Sequence, residues 1–177
     1  MKPQGSRRKG RRGENEAACL LAQWYYHDPT ALMRTHASRT KRGFRDQVGD
    51  VAPARSELPQ PWVFSVEVKN RKDWGLEDLL YPKSAVKQFW VQCKDAARAS
   101  DKIPLLLLKK ARRPWLAALR TVDFMAVVSF PVRMTYVRSL KEQLTFCSLT
   151  TLFAHTAPGS WIALWRSRYH AATSRRS

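Results

Sequence analysis

The fold is decided by the stretch VFSVEVK, residues 63–69. Side chains alternate between the two faces of a β-strand. One face carries Phe64, Val66 and Val68, and the other carries Ser65, Glu67 and Lys69. A solvent-facing strand can show this alternation too, but the apolar residues around the stretch favour a strand inside a sheet. The pattern therefore predicts a sheet strand with a carboxylate and an amine side by side on one face.

A second short strand is predicted over residues 48–52, and it carries Asp50. If it pairs with the strand predicted over 62–69, Asp50 lies beside Glu67. Two carboxylates held together repel unless a cation lies between them, and their oxygen atoms suit Mg²⁺ or Mn²⁺. Such an ion polarises phosphate oxygens and lowers the pKa of a bound water, and Lys69 would orient that water or neutralise charge on phosphorus. The spacing D-x₁₆-E-x-K thus indicates phosphodiester hydrolysis; Asp46 is a rival to Asp50 but lacks the flanking strand pattern.

The rest of the chain predicts a small mixed sheet flanked by helices. Apolar residues at helical spacing predict helices over residues 14–26 and 84–99. Further strands are expected near Met33, in PLLLLKK (104–110) and in WLAAL (115–119), and residues 35–47 read as a loop. TVDFMAVVSFPV (121–132) could be a strand or a short helix, and SLKEQLTFCSLTTLFAH (139–155) has mixed helical character.

The charge of the chain points to an anionic partner. Lys and Arg number 32 against 14 Asp and Glu, a formal charge of +18, so nucleic acid is the first candidate and an anionic membrane surface the second. No apolar run approaches the roughly 20 residues that a membrane span needs, and the N-terminus lacks the apolar stretch of a signal peptide. Three well-separated cysteines suit a reducing cytosol, and no Cys or His spacing predicts a zinc site.

Together these features resemble the PD-(D/E)xK nuclease superfamily. Asp50 corresponds to its Asp, and Glu67-Val68-Lys69 to its (D/E)xK. Within the superfamily the chain is most similar to archaeal-type and phage Holliday-junction resolvases. Their N-terminal K-G-x-x-x-E, whose Glu is a metal-site residue, resembles KGRRGE (9–14) and implies that role for Glu14. A Gln-bearing helix after the E-x-K strand implies a role for Gln88, and a DNA-contacting Ser/Lys loop resembles ASRTKR (37–42).

Some features depart from the family or leave alternatives open. Gly49 precedes Asp50 where the family has Pro, the loop over 53–61 is longer than a hairpin needs, and residues 121–177 match nothing in it. Glu16 is an alternative to Glu14. The two side chains point about 200° apart on a helix, so only one can face the site.

The resemblance implies a restriction-endonuclease-like α/β fold for a nuclease core (14–120). Composition predicts a mobile basic arm before it (1–13) and a basic, aromatic extension after it (121–177), which could contribute a dimer or DNA contact. The resemblance also implies a Mg²⁺-dependent endonuclease, with Mn²⁺ as a possible substitute, that acts on branched DNA. Two symmetric cuts in a four-way junction require two identical sites, hence a homodimer. The expected DNA-binding residues are Arg7, Arg8, Lys9, Arg11, Arg12, Ser38, Arg39, Lys41 and Arg42.

We expect no membrane association and a location in the cytoplasm, that of a bacterial or phage-infected cell. Two alternatives stay open. One is a nuclease of the same superfamily that acts on flaps, single strands or linear duplex. The other is a basic nucleic-acid-binding protein without catalysis.

Overall fold

The structure is a computed structural model that describes residues 4–35, 49–72, 74–75, 84–129, 135–139 and 142–170. Its strands are β1 (Leu32–Arg34), β2 (Val51–Pro53), β3 (Phe64–Asn70), β4 (Ile103–Lys109), β5 (Leu116–Arg120), β6 (Thr135–Ser139) and β7 (Glu142–Ser148). Its helices are α1 (Gln4–Tyr26), α2 (Ala85–Ala99), α3 (Thr121–Val127), α4 (Leu149–His155) and α5 (Pro158–Trp165), and a π-helical turn (Arg166–His170) follows α5.

The described strands form one seven-stranded sheet in the order β1-β2-β3-β4-β5-β7-β6. Strands β3 and β4 are parallel, and the other neighbours are antiparallel. Helix α2 connects the parallel pair, as a crossover between parallel strands requires. The predicted α/β fold, a mixed sheet flanked by helices, is confirmed and is consistent with a restriction-endonuclease-like fold.

Helices cover both faces of the sheet and build a core on each. The larger core joins α1, α3, α4 and α5 to the side of β3 that carries Phe64, Val66 and Val68. The smaller core lies between α2 and β4, β5 and β7. Residues 103–108 of β4 are all buried, which explains their continuous apolar sequence, because a strand covered on both faces has no solvent side.

Helix α2 agrees closely with the sequence prediction. Its N-cap is Ser84, whose hydroxyl accepts a hydrogen bond of 3.3 Å from the backbone N–H of Lys87. Its apolar residues at intervals of three or four are buried against the sheet. The apolar spacing was enough to predict this element, and serine is a residue type favoured at N-caps.

Helix α1 begins much earlier than predicted. It starts at Gln4, so residues 4–13 are helical, where the sequence had predicted a mobile arm. Two contacts with the end of β3 hold this basic segment: the Asn70 side-chain amide donates to the Lys9 carbonyl (3.3 Å), and Gly13 lies against the Asn70 side chain. Lys and Arg are good helix formers but Gly5, Gly10 and Gly13 are poor ones, so the docking against Asn70 helps to keep the segment helical.

The C-terminal third supplies part of the same sheet. Residues 142–148, predicted to have mixed helical character, form β7 and pair with β5. The reason is that Leu144 and Phe146 are buried against α2, a contact distant in sequence. Residues 121–127 take the helical alternative, and the division at residue 120 stays a prediction about domains. No described helix is long and apolar enough to cross a membrane.

Candidate active site

Asp50 lies immediately before β2 and is fixed by backbone hydrogen bonds on both sides. Its N–H donates to the Val66 carbonyl (2.6 Å), and its own carbonyl accepts from the N–H of Thr35 (2.9 Å). Its carboxylate accepts a hydrogen bond of 2.8 Å from the N–H of Val68. The carboxylate therefore lies at the segment of β3 that carries Glu67 and Lys69.

Gly49 allows this close approach of the chain to β3. Its φ is +96°, a conformation that glycine adopts readily and other residues do not. A Cβ at this position would lie 2.6 Å from the Val66 carbonyl oxygen and 2.9 Å from its nitrogen. Proline is restricted to a φ near −65°, so this backbone conformation excludes proline at position 49.

Glu67 and Lys69 project from the same face of β3, as the alternation predicted, and form an ion pair between Oε1 and Nζ. Their side chains are 16% and 21% exposed, respectively. The Lys69 ammonium lies 5.2 Å from the centroid of the Phe89 ring on α2. Helix α2 therefore provides an aromatic support for Lys69, so this face of the sheet is half-buried and not an open surface.

Glu14 and Glu16 have separate environments. Glu14 accepts a hydrogen bond of 3.1 Å from Arg34, and its charge acts on Asp50. Glu16 accepts from the Trp115 indole N–H (2.8 Å) and pairs with Lys109 (3.4 Å). The geometry thus associates Glu14 with Asp50 and gives Glu16 contacts within the fold; the role of Glu14 in metal binding stays a proposal.

The pKa of Asp50 reflects its position close to the carboxylates of Glu67 and Glu14. Burial and the negative charge of Glu67 raise its pKa from 3.8 to about 7, and the charge of Glu14 adds to the effect. The Val68 N–H and the Lys69 charge act in the opposite direction, towards a lower pKa. A carboxylate whose pKa is raised by neighbouring carboxylates belongs to a site that a cation would stabilise.

The donor set suits a hard divalent ion. In the described part of the chain, no group of three or more His, Cys, Asp or Glu side chains could by itself hold a metal. Mg²⁺ does not need such a cage, because it is usually held by one or two carboxylates, with water and substrate phosphates as the other ligands. Asp50 and Glu67 provide these two carboxylates, so the residues present fit Mg²⁺ or Mn²⁺.

Other predicted site residues are distributed differently. Gln88 is exposed on α2 next to Phe89, and its role stays a prediction. Ser38, Arg39, Lys41 and Arg42 lie outside the described residues, as does the side chain of Arg7. The side chains of Arg8, Arg11 and Arg12 are exposed on α1, and that of Lys9 is partly exposed.

Three residues near the carboxylates were missed at the sequence level. Arg34 binds Glu14, the Thr35 hydroxyl donates to the Gly49 carbonyl (2.6 Å), and Phe89 lies beneath Lys69. Phe89 belongs to the buried apolar face of α2. Helical spacing alone does not distinguish a core residue from one that also supports Lys69. Arg34 and Thr35 carry no motif, and only the pairing of β1 with β2 brings them to the site.

Comparison with known proteins gives one match. Residues 5–157 match the model of a family described as "Phage putative PDDEXK endonuclease". The match includes α1 from residue 5 onward, Asp50, and the strand that carries Glu67 and Lys69, and it continues through β7 and α4. No curated protein matches the chain, and no solved structure does.

Proposed function

Because the chain belongs to this family of phage PD-(D/E)xK endonucleases, and is thus a nuclease, we propose that it is a Mg²⁺-dependent DNA endonuclease that resolves four-way junctions. The observation that carries the proposal is the hydrogen bond from the Val68 N–H to Asp50. It brings the carboxylate of Asp50 to the segment that holds Glu67 and Lys69.

In the proposed mechanism, Asp50 and Glu67 hold the divalent ion, and Glu14 assists directly or through water. When bound there, such an ion would supply Lewis-acid polarisation of a phosphate and would lower the pKa of a bound water. Lys69 donates hydrogen bonds from Nζ that orient the water or neutralise charge on the phosphate. Glu67 and the ring of Phe89 hold Lys69 in place for this role.

Supporting residues fix the acidic side chains before the substrate binds. The Val68 N–H orients Asp50, and Arg34 orients Glu14. Preorganised charges of this type lower a barrier because they need no rearrangement during the reaction. The carboxylates of Asp50 and Glu67 would repel a phosphate, and a divalent cation held by them would offset that repulsion.

The junction as substrate rests on the resemblance of KGRRGE and of the 37–42 loop to resolvases, and on the charge of +18. Resolution requires two symmetric cuts, and a homodimer with two-fold symmetry provides them. Val122 and Met125 support a protein contact in the region after residue 120, because both are more than half exposed on α3. Light scattering with and without junction DNA tests the dimer, and a monomer in both samples would count against it.

A synthetic four-way junction and a linear duplex of the same sequence, incubated with Mg²⁺ and then with EDTA, test the activity. We expect paired symmetric nicks in the junction, only with Mg²⁺. Equal cutting of the duplex, or preferred cutting of flaps or single strands, would indicate another substrate for the same nuclease. Tight binding without any cleavage would indicate a non-catalytic nucleic-acid-binding protein. The cytoplasmic location stays a prediction.

A further inference from the structure

The turn between β4 and β5, residues 110–113, carries three cations in four residues. Lys110 donates from Nζ to the Trp74 carbonyl (3.0 Å), which attaches the turn to the fold. The Arg113 N–H donates to the Lys110 carbonyl (3.1 Å) and closes the turn. Arg112 has a φ of +60°, and both Arg112 and Arg113 are exposed. The turn thus presents two arginines to solvent.

Strand pairing places this turn close to the candidate active site. In the parallel pair of β3 and β4, Lys69 lies opposite Leu108 and Asn70 opposite Lys109. The Arg71 N–H donates to the Lys109 carbonyl (3.1 Å), which extends the pairing by one residue. Neighbouring strands are about 4.8 Å apart, and each strand residue adds about 3.3 Å along the strand. The Cα atoms of Arg112 and Arg113 therefore lie within roughly 15–20 Å of the Cα atom of Lys69.

The basic half of α1 reaches the same end of the sheet. Asn70 contacts Lys9 and Gly13, so residues 9–13 lie beside the end of β3 and residues 4–8 extend the helix from there. Ten helical residues span about 15 Å, and duplex DNA carries one charge per roughly 1.7 Å of its axis. The segment is therefore long enough to meet several phosphates, with Arg8, Arg11 and Arg12 exposed on it.

Exposed cations from three separate segments thus lie at one end of the sheet: the first half of α1, the pair Arg71 and Lys72 after β3, and the turn at 110–113. Glu16, an acidic residue at this end, is already bound by Trp115 and Lys109. Solubility alone does not require such clustering, because dispersed charge serves it equally well. A concentrated positive surface attracts a long polyanion.

We propose that the turn at 110–113 and the first half of α1 form one phosphate-binding surface, whose ligand is the backbone of the DNA that enters the active site. The proposal rests on the proposed function and adds the turn, which no motif predicted, to the substrate site. Contacts of this kind position DNA without reading its sequence. Arg112 and Arg113 are binding residues in this account, and they take no part in the chemical step.

The test compares two double variants that each remove two exposed arginines. R112G/R113S changes the turn, and glycine suits the positive φ of residue 112. R98S/R166S is the control: Arg98 lies in the last turn of α2, at the opposite end of the sheet from Lys69. Arg166 lies near it, because the neighbouring Trp165 donates to the Asp101 carbonyl (2.6 Å). Thermal melting checks that both variants fold.

Binding is measured by fluorescence anisotropy with a labelled 20-base-pair duplex, in EDTA and at several salt concentrations. R112G/R113S should raise Kd roughly tenfold or more. The slope of log K against log salt concentration should become less steep by about 1 to 2, because each lost phosphate contact reduces that slope by about 0.9. The control should change Kd by less than about threefold. Equal effects of the two variants, or wild-type binding by R112G/R113S, would overturn the proposal.

A parallel assay separates this proposal from the proposed function. Wild type and R112G/R113S are compared in single-turnover cleavage with Mg²⁺ at saturating DNA, where we expect similar rates. If the wild type binds DNA through the turn but cleaves nothing, the phosphate-binding surface stands and the nuclease proposal fails. If the wild type cleaves and the turn variant binds normally, the nuclease proposal stands and the turn has no role in binding.

Discussion

The carboxylate of Asp50 accepts a hydrogen bond of 2.8 Å from the backbone N–H of Val68, the residue between Glu67 and Lys69. Together with the bond from the Asp50 N–H to the Val66 carbonyl, it joins the two halves of a motif that 16 intervening residues separate in the chain. It also holds Asp50 beside another carboxylate in a half-buried place, which raises its pKa to about 7. The ionised form of Asp50 is therefore unfavourable in this place, and this has consequences for stability.

Asp50 should destabilise the metal-free protein as the pH rises from about 4 to 8. Between the unfolded pKa of 3.8 and the folded value of about 7, the folded protein binds a proton that the unfolded chain has released, so stability falls with increasing pH. At 1.36 kcal/mol per pKa unit, the effect has an upper limit of about 4 kcal/mol. D50N should therefore raise the melting temperature in EDTA, and more at pH 8 than at pH 4.

Asp95, exposed on α2, supplies the control for that experiment. D95N removes the same charge from an open position and should change the melting temperature little at either pH. Addition of Mg²⁺ at pH 8 should stabilise the wild type but not D50N. A wild type more stable in EDTA at pH 8 than D50N would contradict the account.

Gly49 should tolerate no side chain. G49A adds a Cβ at 2.6 Å from a backbone oxygen, with a φ of +96°, and we expect a loss of about 2–4 kcal/mol in the free energy of unfolding. G49P should lower the free energy of unfolding further, because proline cannot adopt this φ. Urea unfolding measures both. The control is G159A in α5, where a Cβ meets nothing within 4 Å and alanine should be neutral or slightly stabilising; a G49A protein as stable as G159A would refute this.

Glu14 and Glu16 should differ in their effects on cleavage. E14Q removes a charge that acts on Asp50, and we expect the cleavage rate to fall at least about tenfold with DNA binding unchanged. E16Q keeps an acceptor for Trp115 and loses the ion pair with Lys109, so only stability should fall, by about 1 kcal/mol or less. Single-turnover rates and melting curves separate the two, and the reverse result would assign the role to Glu16.

Lys69 should be needed for chemistry and not for folding. K69M keeps an apolar chain over Phe89 but removes the ammonium group, so cleavage should fall roughly 10²–10³-fold, as when one transition-state donor is lost. K102M changes a lysine just before β4, at the opposite end of the β3–β4 pair from Lys69, and should retain most activity. Cleavage by K69M at the rate of K102M would exclude the proposed role.

Local patterns predicted the elements whose signals are contained in their own sequence. The alternation in β3, the apolar run of β4 and the capped, amphipathic α2 all belong to this group. The same alternation placed Glu67 and Lys69 on one face. These features follow from periodicity and need no knowledge of distant contacts.

The remaining features depend on contacts between distant parts of the chain. The basic half of α1 is held by Asn70, which is distant in sequence, so its own residues did not reveal that it is helical. In the same way β7 pairs with the distant strand β5, and its own residues did not reveal a strand. A helical wheel could not choose between Glu14 and Glu16, because Trp115, the partner of Glu16, lies 99 residues away. Likewise only the positive φ of Gly49 explains the absence of proline.

The central claim is that Asp50 and Glu67 support metal-dependent cleavage of DNA, and the most direct measurement compares wild type, D50N and E67Q. Cleavage of a labelled four-way junction is followed with Mg²⁺ and with EDTA, and Kd is measured in EDTA. We predict cleavage by the wild type only with Mg²⁺, rates below about 1% of wild type in both variants, and Kd values within about threefold of wild type. Cleavage by either variant at the wild-type rate, or by the wild type in EDTA, would contradict the claim.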